Sequence, residues 1–101
     1  MNYFVFIYRP GPAWLPNRSV LQQPLAGHFA YMEKLQQNGV LCLGGPFKDD
    51  TGAFGVIQAT DFENASTLIL DDPAVRDGVV EAEVHPWHPA VPGTVEAKAW
   101  A

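Results

Sequence analysis

Six consecutive residues near the start of the chain are aromatic or β-branched, and this run constrains the fold more than any other segment. The run reads Tyr3-Phe4-Val5-Phe6-Ile7-Tyr8. Residues of these types favour extended strands, and successive side chains of a strand point to opposite faces of its sheet. The run therefore predicts a strand that is apolar on both sides, in a sheet whose two faces both have to be covered.

The rest of the chain alternates between short strands and amphipathic helices, which are separated by glycine, proline and polar turns. The predicted elements after the first strand are a helix over 24–38, strands over 40–44 and 53–60 that form a hairpin, a helix from a capping box at Thr60 and Glu63 to Leu70, a short helix from Asp72-Pro73 to Gly78, and a strand over 79–87. The order β-α-β-β-α-β predicts an α+β, ferredoxin-like domain, in which a four-stranded antiparallel sheet carries two helices on one face.

Two helices cover only one face of such a sheet, and the first strand is also apolar on the other face. Only 17% of the 101 residues are charged, whereas about a quarter is usual in soluble domains. A second copy of the sheet, related by a two-fold axis, is the simplest cover for the remaining apolar face. We therefore predict a homodimer that associates through the open sheet face.

The chain length fits a single domain, which we expect over residues 1–88, followed by a C-terminal tail over 89–101. Two interpretations of the tail stay open. In the first, Trp100 packs on the partner subunit; in the second, the tail is a disordered end.

The six basic residues are scattered among eleven acidic ones, for a formal net charge of −5. This pattern argues against nucleic acid and anionic membranes as partners, because both are bound by clustered Lys and Arg. The start of the chain lacks the features of a signal peptide, and no apolar run reaches the ~20 residues that span a bilayer. We therefore expect a cytoplasmic protein.

The single cysteine and the paired histidines give no signal for a disulfide or a metal site. Cys42 lies in an apolar strand, where we expect it to be a small buried side chain. His85 and His88 lie among prolines, without an evident third ligand, so we predict no metal site. We also expect no cofactor.

His28 and Asp72 are the residues best suited to chemistry. His28 lies beside the apolar stripe of the first predicted helix, and an imidazole can accept and return protons near neutral pH. Such a histidine needs an orienting group, usually a carboxylate. Asp72, before Pro73, can cap a helix and still orient a histidine, because a carboxylate has about four acceptor sites. The alternative interpretation is a core histidine and a plain helix cap.

Several short motifs together resemble the YCII-related (YciI-like) family of small bacterial proteins. They are His28-Phe29-Ala30-Tyr31-Met32, Gly44-Gly45-Pro46-Phe47, Asp72-Pro73-Ala74-Val75 and Pro86-Trp87. The resemblance extends over about residues 1–88. It implies a dimeric α+β-barrel fold and an active site that pairs His28 with Asp72. Related members and fold relatives act on small, often ring-shaped organic compounds, by elimination or isomerisation.

Three hypotheses about function follow from the residues and the resemblance. In the first, the chain is a cofactor-independent lyase or isomerase, in which His28 moves a proton and Asp72 fixes the imidazole tautomer. In the second, it is a non-catalytic homodimeric module that binds a metabolite or a partner, and the same pair is structural. A third and weaker hypothesis is oxygen chemistry without a cofactor.

The first hypothesis also predicts which residues contact a small-molecule ligand. The backbone near Gly45 and Pro46 is expected to shape the pocket, and its wall is expected to include Tyr8, Arg9, Trp14 and Phe47. Arg9 ends the first strand, where its guanidinium would anchor an anionic substrate.

Overall fold

The computed structural model of the chain describes residues 2–96. Its elements are β1 (Asn2–Pro10), α1 (Ala26–Gln37), β2 (Leu41–Pro46), β3 (Ala53–Ala59), α2 (Phe62–Leu70), α3 (Pro73–Arg76) and β4 (Val80–Trp87), with a 3-10 turn at Val20–Gln22. The predicted contact of Trp100 with a partner lies outside the described residues.

The strands form one antiparallel sheet in the order β2-β3-β1-β4. β1 lies between β3 and β4, so that Phe6 is paired with Gly55 on one side and with Val84 on the other. This central position explains why the first strand of the chain is apolar throughout. The prediction of an α+β, ferredoxin-like domain with a four-stranded antiparallel sheet is confirmed.

The inner face of the sheet, which the helices cover, holds the hydrophobic core. Phe4, Phe6 and Tyr8 point to this face and are 3%, 3% and 1% exposed. They pack with Ile57 of β3 and Ile69 of α2, both of which are completely buried. Burial of a large apolar side chain stabilises a fold by about 1.5–3 kcal/mol, so alternate residues of β1 are major determinants of stability.

The two helices after the hairpin begin at aspartate caps. Asp61 accepts a hydrogen bond of 2.8 Å from the backbone N–H of Asn64. The capping box predicted at Thr60 and Glu63 is therefore wrong by one residue, because a carboxylate at the next position supplies the cap. At α3 the prediction is confirmed, since the Asp72 side chain caps the helix and Pro73 follows in its first turn.

Among residues 2–96, no helix combines the length and the apolar character that are needed to cross a lipid bilayer.

The outer face of the sheet carries the alternate residues of β1, which are Tyr3, Val5, Ile7 and Arg9. Tyr3 is 36% exposed, and Val5 and Ile7 are half-buried. This face has no helix against it among the described elements. The homodimer through this face stays a prediction, because testing it requires a measurement of the oligomeric state.

The two edges of the sheet are β2 and β4, and each edge strand contains a proline, Pro46 and Pro86 respectively. The register of β2 against β3 shifts between Leu41 and Leu43, so Cys42 lies at an irregularity of the edge strand. Cys42 is exposed, and the prediction of a small buried side chain is wrong. An irregular edge strand can turn a side chain outward even within an apolar run.

Candidate active site

The imidazole of His28 and the carboxylate of Asp72 are in direct contact. His28 lies in the first turns of α1, and Asp72 lies at the start of α3, 44 residues later in the chain. Nδ1 of His28 is 2.7 Å from Oδ2 of Asp72. The Asp72 side chain is fully buried, whereas the His28 side chain keeps 15% of its surface exposed. The structure therefore brings together the two residues that the sequence singled out for chemistry.

Both oxygens of the Asp72 carboxylate have further hydrogen-bond donors. The backbone N–H of Ala74 donates to Oδ1 over 2.9 Å, which is the cap of α3. The Tyr8 hydroxyl donates to Oδ2 over 2.7 Å. These donors stabilise the ionised carboxylate, which can only accept hydrogen bonds. In this arrangement Nδ1 of His28 carries its proton toward Asp72.

Tyr8 stays a hydrogen-bond donor over the whole working pH range of a protein. Burial of the phenol raises the pKa of Tyr8 far above its usual value of about 10, and the adjacent Asp72 carboxylate raises it further. Each effect acts in the same direction, because an ionised phenol would lose hydration and be repelled by the carboxylate. Tyr8 therefore fixes the orientation of Asp72 from inside the core.

The second ring nitrogen of His28 faces open space. Among the described residues, no hydrogen-bond partner is found for Nε2, and every buried side-chain nitrogen or oxygen has a partner. It follows that Nε2 is accessible. A neutral imidazole with its proton on Nδ1 has its lone pair on Nε2, so this atom can take a proton from a bound molecule.

A cavity of about 230 Å³ lies between α1 and the inner face of the sheet, and His28 is part of its wall. The other lining residues are mostly apolar: Phe6, Tyr8, Trp14, Val20, Leu25, Phe29, Met32, Leu41, Gly44, Gly45, Pro46, Gly52, Ala53, Phe54, Ala74 and Val80. An apolar cavity of about 150 Å³ is enough to bind benzene. The cavity therefore has room for a single substituted ring, presented to the histidine.

Four of the residues predicted to contact a ligand line this cavity, namely Tyr8, Trp14, Gly45 and Pro46. Phe47 and Arg9 lie outside the lining formed by residues 2–96. Phe47 follows the end of β2 and is 37% exposed. Arg9 points to the outer face of the sheet, where its guanidinium forms an ion pair with Glu83.

The carboxylate of Glu83 also contacts Nε2 of His85 at 2.7 Å, so Arg9 belongs to a charged cluster on the outer face. Within the described part of the chain, no group of three or more His, Cys, Asp or Glu side chains is arranged to hold a metal ion.

Sequence reasoning missed two contributions to the site. The bond from Tyr8 to Asp72 had a signal, because Tyr8 shares a face with Phe4 and Phe6 and a buried hydroxyl needs a partner. Phe29 and Met32 lie on the apolar stripe of the first predicted helix, which predicts contact with the core but no cavity. Both residues line the cavity, and Met32 also packs against the core. Helical periodicity cannot separate these two outcomes, since both need apolar side chains at the same spacing.

Comparisons with known proteins identify a matching family model and similar proteins. The family model described as the YCII-related domain matches residues 1–88. The uncharacterized protein YjpA of Bacillus subtilis (strain 168) is 36% identical over 66 residues, which are 65% of this chain and 78% of YjpA.

A similar solved structure is that of 5-chloro-2-hydroxyhydroquinone dehydrochlorinase (TftG) from Burkholderia phenoliruptrix AC1100, in complex with 2,5-dihydroxybenzoquinone. It is 25% identical in sequence with a TM-score of 0.62, and the match covers 84% of this chain and 93% of TftG. The predicted fold class, ferredoxin-like and of the dimeric α+β-barrel type, is thereby confirmed.

Proposed function

The chain belongs to the YCII-related family, and from this premise we propose that it is a small cofactor-independent enzyme acting on small organic compounds, ring-shaped ones among them. In this proposal His28 and Asp72 carry out acid–base chemistry, by elimination or by isomerisation. The observation that carries the proposal is the position of His28: its Nδ1 contacts a buried carboxylate, and the same residue forms part of the wall of an apolar cavity.

The proposed reaction starts with proton transfer from the substrate to Nε2 of His28. Asp72 stabilises the imidazolium that forms, because its carboxylate lies 2.7 Å from Nδ1. In an elimination, the electrons of the broken bond to hydrogen form a new double bond, and the leaving group departs with its own bonding pair. The imidazolium then gives its proton to solvent, which restores the neutral histidine. In an isomerisation, the imidazolium returns the proton to a different atom of the same molecule, which restores the neutral histidine.

The size and polarity of the cavity support a ring-shaped substrate. The TftG structure contains 2,5-dihydroxybenzoquinone, which is a single six-membered ring, and a volume of about 230 Å³ accommodates such a ring here. An apolar wall also strengthens the interaction between a charged imidazolium and the Asp72 carboxylate, because it lowers the local dielectric constant. The size of the cavity and its apolar wall therefore both favour proton transfer from a ring-shaped substrate that is bound inside the cavity.

Turnover by active-site variants tests this proposal. Chloride release from 5-chloro-2-hydroxyhydroquinone is the first assay, and other hydroxylated or chlorinated single rings extend the panel. We expect His28→Ala to lower turnover by about 10²–10⁴-fold, the usual contribution of a general acid or base. An identified substrate that His28→Ala converts at the wild-type rate would refute the role of His28.

The alternative function is a non-catalytic module that binds a metabolite or a partner protein. The observation in its favour is that Asp72 has structural tasks, since it caps α3 and accepts the bond from the buried Tyr8. If this alternative holds, His28→Gln and Asp72→Asn lower the free energy of unfolding by several kcal/mol, yet the wild-type cavity binds none of the ring compounds of the panel.

We also propose that the chain works as a cytoplasmic homodimer that associates through the outer face of the sheet. The half-buried Val5 and Ile7 of the central strand lie on that face, which supports this proposal.

A further inference from the structure

The proline-rich segment over residues 10–18 is fixed to the rest of the chain at both of its ends. Near its start, the backbone N–H groups of Gly11 and Ala13 donate hydrogen bonds of 2.9 Å to the carbonyl oxygens of Val79 and Gly78. These bonds attach the segment to the two residues that precede β4. Trp14 follows directly and lines the cavity.

The second half of the segment is held by the side chain of one buried residue, Gln23. Its Oε1 accepts a hydrogen bond of 2.7 Å from the backbone N–H of Leu15. Its Nε2 donates to the carbonyl oxygens of Leu15 and Arg18, over 2.9 and 3.1 Å. Gln23 is only 7% exposed and lies outside the cavity lining formed by residues 2–96. The amide group therefore satisfies three backbone groups that no regular element satisfies.

We propose that Gln23 is a positioning residue for the ligand cavity: by holding Leu15 and Arg18, its amide keeps the wall formed by Trp14 in place before a ligand arrives. This role rests on the proposed function in one respect, since it takes the cavity beside His28 as the binding site. Ordering the wall in advance removes an entropy cost from binding. Without the amide, three backbone groups lose their hydrogen-bond partner and have to bind water instead. The segment is then no longer held in one conformation.

Gln23→Met tests the proposal, because methionine keeps the approximate length of the side chain and removes the amide. The matched control is Gln36→Met, since Gln36 is an exposed glutamine of α1. Trp14→Leu is a second variant, which alters the wall directly and leaves the Gln23 amide intact.

The first measurement is hydrogen exchange of single backbone amides, which needs no ligand. We expect Gln23→Met to speed exchange at the Leu15 amide by at least about tenfold, because this amide loses its acceptor. The exchange rates of the Leu35 and Ile69 amides in the core are expected to change by a smaller factor than the exchange rate of the Leu15 amide. Equal acceleration at all three positions would mean that Gln23 supports the whole fold and would overturn the proposal.

The second measurement is saturable binding of benzene by NMR titration, which requires no proton transfer. We expect Gln23→Met and Trp14→Leu each to weaken benzene binding by about tenfold or more, and Gln36→Met to bind as the wild type does. Wild-type affinity in Gln23→Met, or a wild-type chain that takes up no benzene, would overturn the positioning role.

The two proposals fail separately. A chain that binds benzene in a Gln23-dependent manner but shows no His28-dependent turnover would contradict the enzyme and leave the positioning residue standing.

Discussion

Tyr8 and His28 donate to the same atom, Oδ2 of Asp72, and each donor lies 2.7 Å from it. One donor comes from the central strand of the core and the other from a cavity wall. Asp72 thus connects the interior of the fold to the atom that we propose as the proton acceptor. Disturbing either donor is expected to change both stability and chemistry.

Tyr8→Phe is expected to lower the free energy of unfolding by about 1.5–3 kcal/mol at neutral pH, the range for a hydrogen bond to a charged group. The difference from wild type should shrink above about pH 10. There the unfolded wild-type chain ionises Tyr8, whereas the raised pKa keeps Tyr8 protonated in the folded state, so wild-type stability falls by about 1.4 kcal/mol per pH unit for this proton. Urea unfolding between pH 7 and 11 measures both curves. Parallel curves across that range would contradict the buried donor.

Asp72→Asn is expected to reverse the tautomer of His28. The asparagine oxygen can still cap α3, but its amide group then faces Nδ1, which must become the acceptor and leave the proton on Nε2. Nitrogen NMR of the imidazole distinguishes these tautomers. Turnover should fall together with the change, since a protonated Nε2 cannot take a proton.

The matched control for this prediction is Asp71→Asn, at an exposed neighbouring carboxylate that lies 3.9 Å from Arg76. We expect it to keep the wild-type tautomer and turnover. If Asp71→Asn and Asp72→Asn gave the same imidazole nitrogen spectrum, the contact between His28 and Asp72 would not be what determines the tautomer.

Gly55→Ala is expected to change the size of the cavity. A Cβ at position 55 would overlap the ring of Phe6, so the ring has to move, and Phe6 is part of the cavity wall. Overpacking of this kind usually costs about 1–3 kcal/mol of stability. Gly93→Ala is the control, because a Cβ at that position meets no atom within 4 Å and Gly93 lies outside the cavity lining formed by residues 2–96. Thermal unfolding is expected to show a lower stability for Gly55→Ala than for wild type. Titration with benzene and p-xylene is expected to show weaker binding by Gly55→Ala, with the larger loss of affinity for p-xylene, the longer of the two compounds.

Ile7→Asp is expected to convert the predicted homodimer to a monomer of 11.1 kDa, because it places a charge in the centre of the outer sheet face. Sedimentation at micromolar concentration gives the mass of wild type and variant. Leu70→Asp introduces the same charge at an exposed apolar position of α2 and should leave the assembly unchanged. A wild-type chain that sediments at 11.1 kDa would contradict the dimer.

The sequence was most informative where local pattern decides the structure. The run from Tyr3 to Tyr8 fixed the central strand, and the Asp72-Pro73 pair fixed the start of α3. In both places the backbone preference and the burial pattern agree, so no information about distant residues is needed.

Contacts between distant parts of the chain required more than pattern. The pairing of His28 with Asp72 was a hypothesis from residue chemistry that the family resemblance strengthened, because periodicity does not report which elements pack together. The exposed position of Cys42 depends on a shift in strand register, and the cavity depends on the gap between α1 and the sheet. Neither leaves a mark in the order of apolar and polar residues.

The prolines of the two edge strands have a consequence for how this protein can assemble. An edge strand with free backbone donors can form hydrogen bonds with a strand of another chain, and repeated addition of this kind has no natural limit. Pro46 and Pro86 interrupt these rows, since proline has no N–H to donate. The sheet can then associate through its face and stop at a finite number of copies, whereas growth along its edges into fibres is disfavoured even at high concentration.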